Sequence, residues 1–340
     1  MTALRGLNVS VGRLPVGELD SIADVEGVQV GHASVGGFDV RIGLSVVLPY
    51  PRATVEKRLF VGRWALDRGG AASALGVAED FGTFSSPIAL VPAPAFGRAY
   101  EALIHQGIAR DSGLSTDAGW PPVVIGMDDG AWNDARRVYE SVEQRDIDRA
   151  IEAASQTVVE GNVGIGRALR AFGLRGGVGT ASRCVNAHCV GVFVAVNGGL
   201  PGDLRLDGRS VALPSGQGNG PQEFAAVIAT DAPLLPFQLN ALAQRAALGA
   251  GRCGLWNVAT REAQVWAFST SEAQADAQRA ELVRLAAVDD STLYGLFAAA
   301  AEATEAAVLS ALVAAEPLKS NSHQLDVLDV ERLKAAREAR

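Results

Sequence analysis

The chain has 340 residues, 48% of them apolar, which suffices for a sizeable core in one large domain or two small ones. Thirty-eight acidic residues against 30 basic ones give a net charge of −8, so no basic stripe exists to neutralise nucleic-acid phosphates or an anionic membrane. Three cysteines cannot build a disulfide framework, the opening MTALRGLNVSVGRLPVGELDS lacks a signal-type apolar run, and no charge-free apolar stretch reaches membrane-spanning length. The expected location is the cytoplasm.

In chain order, short β-branched runs bounded by glycine or proline predict strands in VQVGHASV from 28, GLSVVLP from 43, SPIALVPAP from 86, PPVVIG from 121, HCVGVFVAVN from 188 and EFAAVIAT from 223. After the last of these, Asp231 in TDAP is placed to cap a helix over 235–249, with Pro233 in its first turn. AQVWAFST from 263 is the seventh strand, followed by helices over 271–288 and 291–316, the latter with an apolar stripe at helical spacing. Several strands are apolar on both faces. Each such strand needs a helix layer on one side and another sheet on the other, so a layered α/β sandwich is expected. The loop 199–222 joins two strands and nothing marks an interdomain linker, so residues 1–340 are expected to form a single domain.

Glycine clusters in GNVGIGRALRAFGLRGGVGTAS match neither a P-loop nor a dinucleotide fingerprint, and there is no GxSxG or HExxH. His32, His105, His188 and His323 are scattered, so no cofactor is implied. In CVNAHC, Cys184 and Cys189 bracket His188, but they differ in parity, point to opposite faces of a strand, and lack a fourth ligand. Buried structural thiols, and no metal, are expected there.

Taken together, SIADVEGVQVGHAS (21–34), GLSVVLP, EGNVGIGRALRAFGLRGGVGTASR (160–183), VGVFVAVNGG (190–199), VIATDAPLLPFQLNALAQRAALGAGR (227–252), AFSTSE (267–272) and FAAAAEATEAAVLSAL (297–312) resemble the L-aminopeptidase/D-esterase, or DmpA-like, peptidases. Relatives of that family include β-peptidyl aminopeptidases and nylon-oligomer hydrolase. The resemblance spans nearly the whole chain in order. It implies a four-layer αββα sandwich, and a precursor that cuts itself once to free an N-terminal Ser, Thr or Cys, whose own amine serves as the base. Together with the acidic, core-rich composition it also implies a homo-oligomer, with a tetramer as the form to test.

Counting back from ATDAP, the nucleophile position of that pattern falls on Glu223, preceded by Gln222; Ser215 lies well upstream. Counting back from AFST, the orienting pair falls on Arg261 and Ala263. Asp128, in GMDDGAWND beside Asp129, stands where the family has a tyrosine, and Ala71 in DRGGA where a glutamate would lie. Asn197 in VAVNGG fits the oxyanion donor and Arg183 ends GTASR. The chain is therefore expected to remain single and uncleaved.

Two readings of the pocket stay open. In the first, Glu223, Asn197, Asp128 and Arg261 do acid/base chemistry on a small polar, amine- or amide-containing metabolite, with Arg183 and Asp129 binding it. In the second, Glu223 and Arg261 form an ion pair that fills the pocket, and the protein binds a ligand or partner without catalysis. The inherited peptide or amide hydrolysis is the lesser alternative.

Overall fold

The computed structural model describes residues 2–36, 40–49, 58–66, 71–110, 121–129, 132–213, 223–255, 262–271, 285–319 and 324–338. Its main elements, in chain order, begin with strands β1 (Gln29–Val35), β2 (Ile42–Leu48), β3 (Leu59–Leu66), β4 (Thr83–Phe84) and β5 (Ile88–Pro92). Helix α1 (Phe96–Arg110) then precedes β6 (Val123–Met127), helices α2 (Ala135–Ser141) and α3 (Gln144–Glu152), and strands β7 (Gly177–Val185) and β8 (His188–Asn197). Strand β9 (Glu223–Thr230), helix α4 (Pro236–Arg252), strand β10 (Glu262–Ser269) and helix α5 (Asp290–Val313) follow.

One sheet has the order β1-β2-β5-β6 and the other β4-β3-β10-β9-β8-β7. Each contains one parallel pair, β5 with β6 and β9 with β10, whose strands are separated in sequence by α1 and α4. A parallel pair needs such a crossover, since a tight turn can only reverse the chain.

Three buried cores define four layers. One lies between the sheets, built from Val30, Val47, Ile88 and Ile125 of the first and Val61, Phe193, Val227 and Trp266 of the second. A second packs Val192, Ala226, Ile228 and Val265 against Leu239, Leu242, Ala303 and Ala307 of α4 and α5. The third packs Leu44, Val46, Val91 and Val124 against Ala99, Leu103, Val138 and Ile147 of α1, α2 and α3. The expected αββα sandwich is thus present, and alternation along β9 explains it: Phe224, Ala226 and Ile228 meet the helices while Ala225, Val227 and Ala229 meet the other sheet.

All seven predicted strands form, and two more long ones, β3 and β7, join them. Strand β7 hides in GGVGTAS because its glycines break the apolar pattern. They serve close packing: a methyl group on Gly179 would collide with the Ala307 carbonyl oxygen of α5, and one on Gly177 would press on Gly161. Gly179→Ala should therefore lower the urea-unfolding free energy by about 2–3 kcal/mol, because backbone rather than a flexible side chain must give way.

Helix α5 is long and apolar enough to cross a membrane by length and composition, but 78% of its most apolar stretch is buried inside the protein. Glu305, fully buried on that helix, pairs with Arg252 at 2.7 Å. It is the core helix of the outer layer.

Three local expectations are corrected. Helix α4 starts at Pro236 with Leu235 as cap, and Asp231 instead accepts the Cys189 N–H at 3.0 Å. Proline is tolerated at the first helical position, so the helix begins at the later proline of the segment. The predicted helix over 271–288 falls mostly on 272–284, outside the described residues; its described end is not helical, and α5 begins after Asp289, whose carboxylate accepts the Thr292 N–H at 2.8 Å. Cys184 and Cys189 are half-buried cross-strand partners joined in a disulfide. The parity argument assumed one continuous strand, but a turn at Asn186, with φ of 54°, reverses the chain and puts both sulfurs on one face.

Candidate active site

At one edge of the space between the sheets, three strand ends bring polar side chains together. Asn197 ends β8, Glu223 begins β9 and Glu262 begins β10, and the ladders pair Asn197 with Glu223 and Glu223 with Glu262. Asn197 shares the parity of Phe193 and Ala195, Glu223 that of Ala225 and Val227, and Glu262 and Gln264 that of Trp266 and Phe268. All four therefore face the other sheet, where Ile125, Gly126 and Met127 of β6 close a tight cleft over Glu223, Glu262 and Gln264.

The Glu223 carboxylate is held by donors on one oxygen. Its Oε2 accepts the Asp128 N–H at 2.8 Å and the Asn197 Nδ2 at 3.3 Å. Asn197, itself 1% exposed, also donates from Nδ2 to the Asp128 carbonyl at 2.7 Å and accepts the Arg170 N–H at 3.1 Å. Its orientation is therefore set by three partners, and two N–H donors converge on the point where Oε2 sits. That is the arrangement of an oxyanion hole, occupied by a carboxylate oxygen.

Burial pushes the Glu223 carboxyl up to about 7; the charges of Glu262 and Asp128 add to the rise, while the bonds from the Asp128 N–H and Asn197 oppose it. A carboxyl in that range exchanges protons at neutral pH.

The other predicted residues divide. Asp128 reaches Glu223 through its backbone N–H, while its exposed carboxylate acts on Glu223 by charge. Asp129 is 3% exposed and tied to Asn133 Nδ2 at 2.8 Å, while Asn133 exchanges two hydrogen bonds with the Arg41 backbone. Burial lifts its carboxyl to about 6 against that bond, with Asp128 adding to the rise. Asp129 thus fastens the loop after β6, a structural role that replaces the expected ligand contact.

Arg183 is also corrected. It pairs with Val190 in the ladder, whereas Asn197 lies seven residues further along β8, about 23 Å away at strand spacing. There it is 2% exposed, contacts Asp20 at 3.3 Å and Glu302 at 3.8 Å, and donates to the Val11 carbonyl at 2.7 Å. This arginine locks the N-terminal segment to α5.

Ala263, at the second orienting position, is buried toward the helices; its neighbours Glu262 and Gln264 take the cleft side. Ala71 gives only its carbonyl, to the Gly126 N–H at 2.7 Å. Arg261, Gln222 and Ser215 lie outside the described residues. Motif counting missed Glu262 and Gln264, although the alternation of polar 262 and 264 with apolar 263 and 265 was a usable signal. Gln264 Oε1 accepts from Arg63 at 3.2 Å, and Arg63 pairs with Glu79, so the cleft floor is anchored to β3.

Comparison with known proteins agrees with this architecture. The profile of peptidase family S58 matches residues 20–325. The beta-peptidyl aminopeptidase BapA of Sphingosinicella microcystinivorans is 32% identical over 92% of this chain and 86% of its own. A Burkholderia sp. beta-aminopeptidase superposes with a TM-score of 0.87 at 31% identity, covering 99% of this chain and 98% of that one. The L-aminopeptidase D-Ala-esterase/amidase of Ochrobactrum anthropi, described as a variant of the Ntn hydrolase fold, gives 0.86 at 28% identity over 98% of this chain and 97% of that one. The motif resemblance, the four layers and the matched span together place the chain in peptidase family S58.

Proposed function

We propose that this protein hydrolyses small amides bearing a free amine, with Glu223 as the proton-transfer group and without prior self-cleavage. The observation that carries this reading is the Glu223 carboxylate itself, half-buried, raised to about 7 and seated on two converging N–H donors. Both bonds fall on Oε2, and Oε1 is the oxygen assigned here to a water or a substrate N–H. As base, Glu223 takes a proton from water while the water oxygen bonds to the amide carbon; as acid, it returns that proton to the departing nitrogen as the C–N bond breaks. The carbonyl oxygen, gaining charge, takes over the N–H of Asp128 and the Nδ2 of Asn197. Glu262, next in register, adds a second carboxylate suited to an ammonium group. The aminopeptidase names of the relatives point to the same amine-bearing substrate class.

The tightness of the cleft favours a second reading. The strand ends close tightly around Glu223, and a pocket plugged by that carboxylate would suit a protein that binds without turnover.

Intact mass spectrometry is the first test, and a single species near 35.3 kDa is expected. Two fragments from a break within 215–224 would restore the inherited self-processing mechanism instead. Incubation with amino-acid amides, β-peptides and lactams then separates the readings. Turnover by the wild type that Glu223→Gln abolishes supports the proposal, whereas binding with no turnover supports the second reading.

A further inference from the structure

Beside Asn197 lies a group of arginines that the chemistry above does not use. Arg170 and Arg175 are ladder partners in a short hairpin, Arg175 Nη2 donates to the Arg167 carbonyl at 3.1 Å, and Arg167 Nη2 donates to the Val40 carbonyl at 3.2 Å, next to Arg41. Arg175 is 1% exposed, its guanidinium 5.9 Å from the Trp132 ring centre. Its Nε and Nη1, and the Nε of Arg170, are buried with no hydrogen-bond partner among the described residues.

Such groups are costly to bury, and a guanidinium with open donors is built to take a planar anion through two N–H bonds. Two carboxylates act on the cluster by charge, Asp128 on Arg170 and Glu316 on Arg175. Burial, and after it the charges of Arg41 and Arg167, lower the Arg175 pKa to about 10, and an incoming anion would oppose that shift.

The order of residues across the sheet gives this cluster a meaning. Glu262, Glu223 and Asn197 stand on three neighbouring strands, and the backbone N–H of Arg170 meets the Asn197 side chain on the far side, so that residue 170 continues the row. At about 4.8 Å per strand the row runs from paired carboxylates to arginines over roughly 10–15 Å, the reach of an extended di- or tripeptide. We propose that Arg167, Arg170 and Arg175, with Arg41, form a subsite for the carboxylate of the substrate, so that the substrate is dipolar: amine toward Glu262, scissile amide at Glu223, carboxylate at the arginines. This assignment rests on the amide-hydrolase reading only for the position of the scissile bond.

Two measurements test it. In a titration with glutarate followed by tryptophan fluorescence, a saturable change is expected that disappears in Trp132→Phe and weakens at least about tenfold in Arg167→Gln. On the Glu223→Gln protein, β-alanyl-β-alanine should bind at least about tenfold tighter than β-alanyl-β-alaninamide, and Arg167→Gln should bring the ratio near one. Equal affinity for acid and amide overturns the proposal, as does a missing glutarate response or one that survives Arg167→Gln. If the acid is preferred and bound but the wild type hydrolyses neither compound, the chemistry at Glu223 fails and the anion subsite stands. If both are bound and cleaved equally, the subsite fails and the chemistry stands.

Discussion

Glu223→Gln is expected to lower amide turnover by about 10²- to 10⁴-fold while making the folded protein more stable at pH 8. The two effects have one origin. The Glu223 carboxyl titrates near 7 in the folded protein against an ordinary value of 4.5, chiefly because burial disfavours its charge. A group whose folded pKa is raised contributes fully below the unfolded value and loses that contribution as pH rises through the folded one. The wild type therefore loses stability, relative to the glutamine variant, between pH 4.5 and about 7, on the order of 3 kcal/mol in all. Melting curves should coincide near pH 4 and separate by a few degrees at pH 8, with the variant higher. Wild-type kcat/KM, set by Glu223 acting as base, should rise with pH to a plateau with its inflection near 7. A variant that keeps full turnover, or one less stable than wild type at pH 8, would sink the assignment.

Asn197→Asp should be the most damaging single-atom change at the site. Asn197 donates to the Asp128 carbonyl and to Glu223 while accepting from the Arg170 N–H, and it is 1% exposed. Aspartate keeps the acceptor but replaces the donor with a charge facing a carbonyl and a second carboxylate. The expected cost is about 3 kcal/mol by urea unfolding at pH 8, smaller at pH 5 where the added carboxyl can hold a proton. Turnover should fall about 10²- to 10³-fold through loss of the oxyanion donor, and the remaining pH profile should shift to the alkaline side as Glu223 is pushed further up. An unchanged pH profile would show that Asn197 does not act on Glu223.

Much of the site was legible because the ATDAP and VAVNGG motifs fix the strand register on either side of it. Counting along them reached Asn197 and Glu223 correctly as neighbours. Counting failed where the needed information was facing rather than position. Ala263 and Glu262 are adjacent in sequence yet face different cores, and a motif count is blind to the pleat. Arg183 was misplaced for a related reason: it belongs to the same long strand as the site-proximal Gly177, but a strand of nine residues carries its two ends to opposite edges of the sheet. Asp128 was expected to act through its side chain, and it also holds Glu223 through its backbone N–H, a role that residue identity cannot reveal.

The sequence by itself determined the layers, since strands apolar on both faces cannot be satisfied except between helices and a second sheet, and its motifs led to Glu223 as the residue to test. Only the tertiary structure decided what surrounds that carboxylate: the Asp128 N–H from the opposite sheet, the Glu262 charge from the parallel neighbour, and the row that leads through Asn197 to Arg170. A pKa near 7 depends on burial and on charges brought together from residues 128, 197 and 262, and those distances exist only once the two sheets have packed.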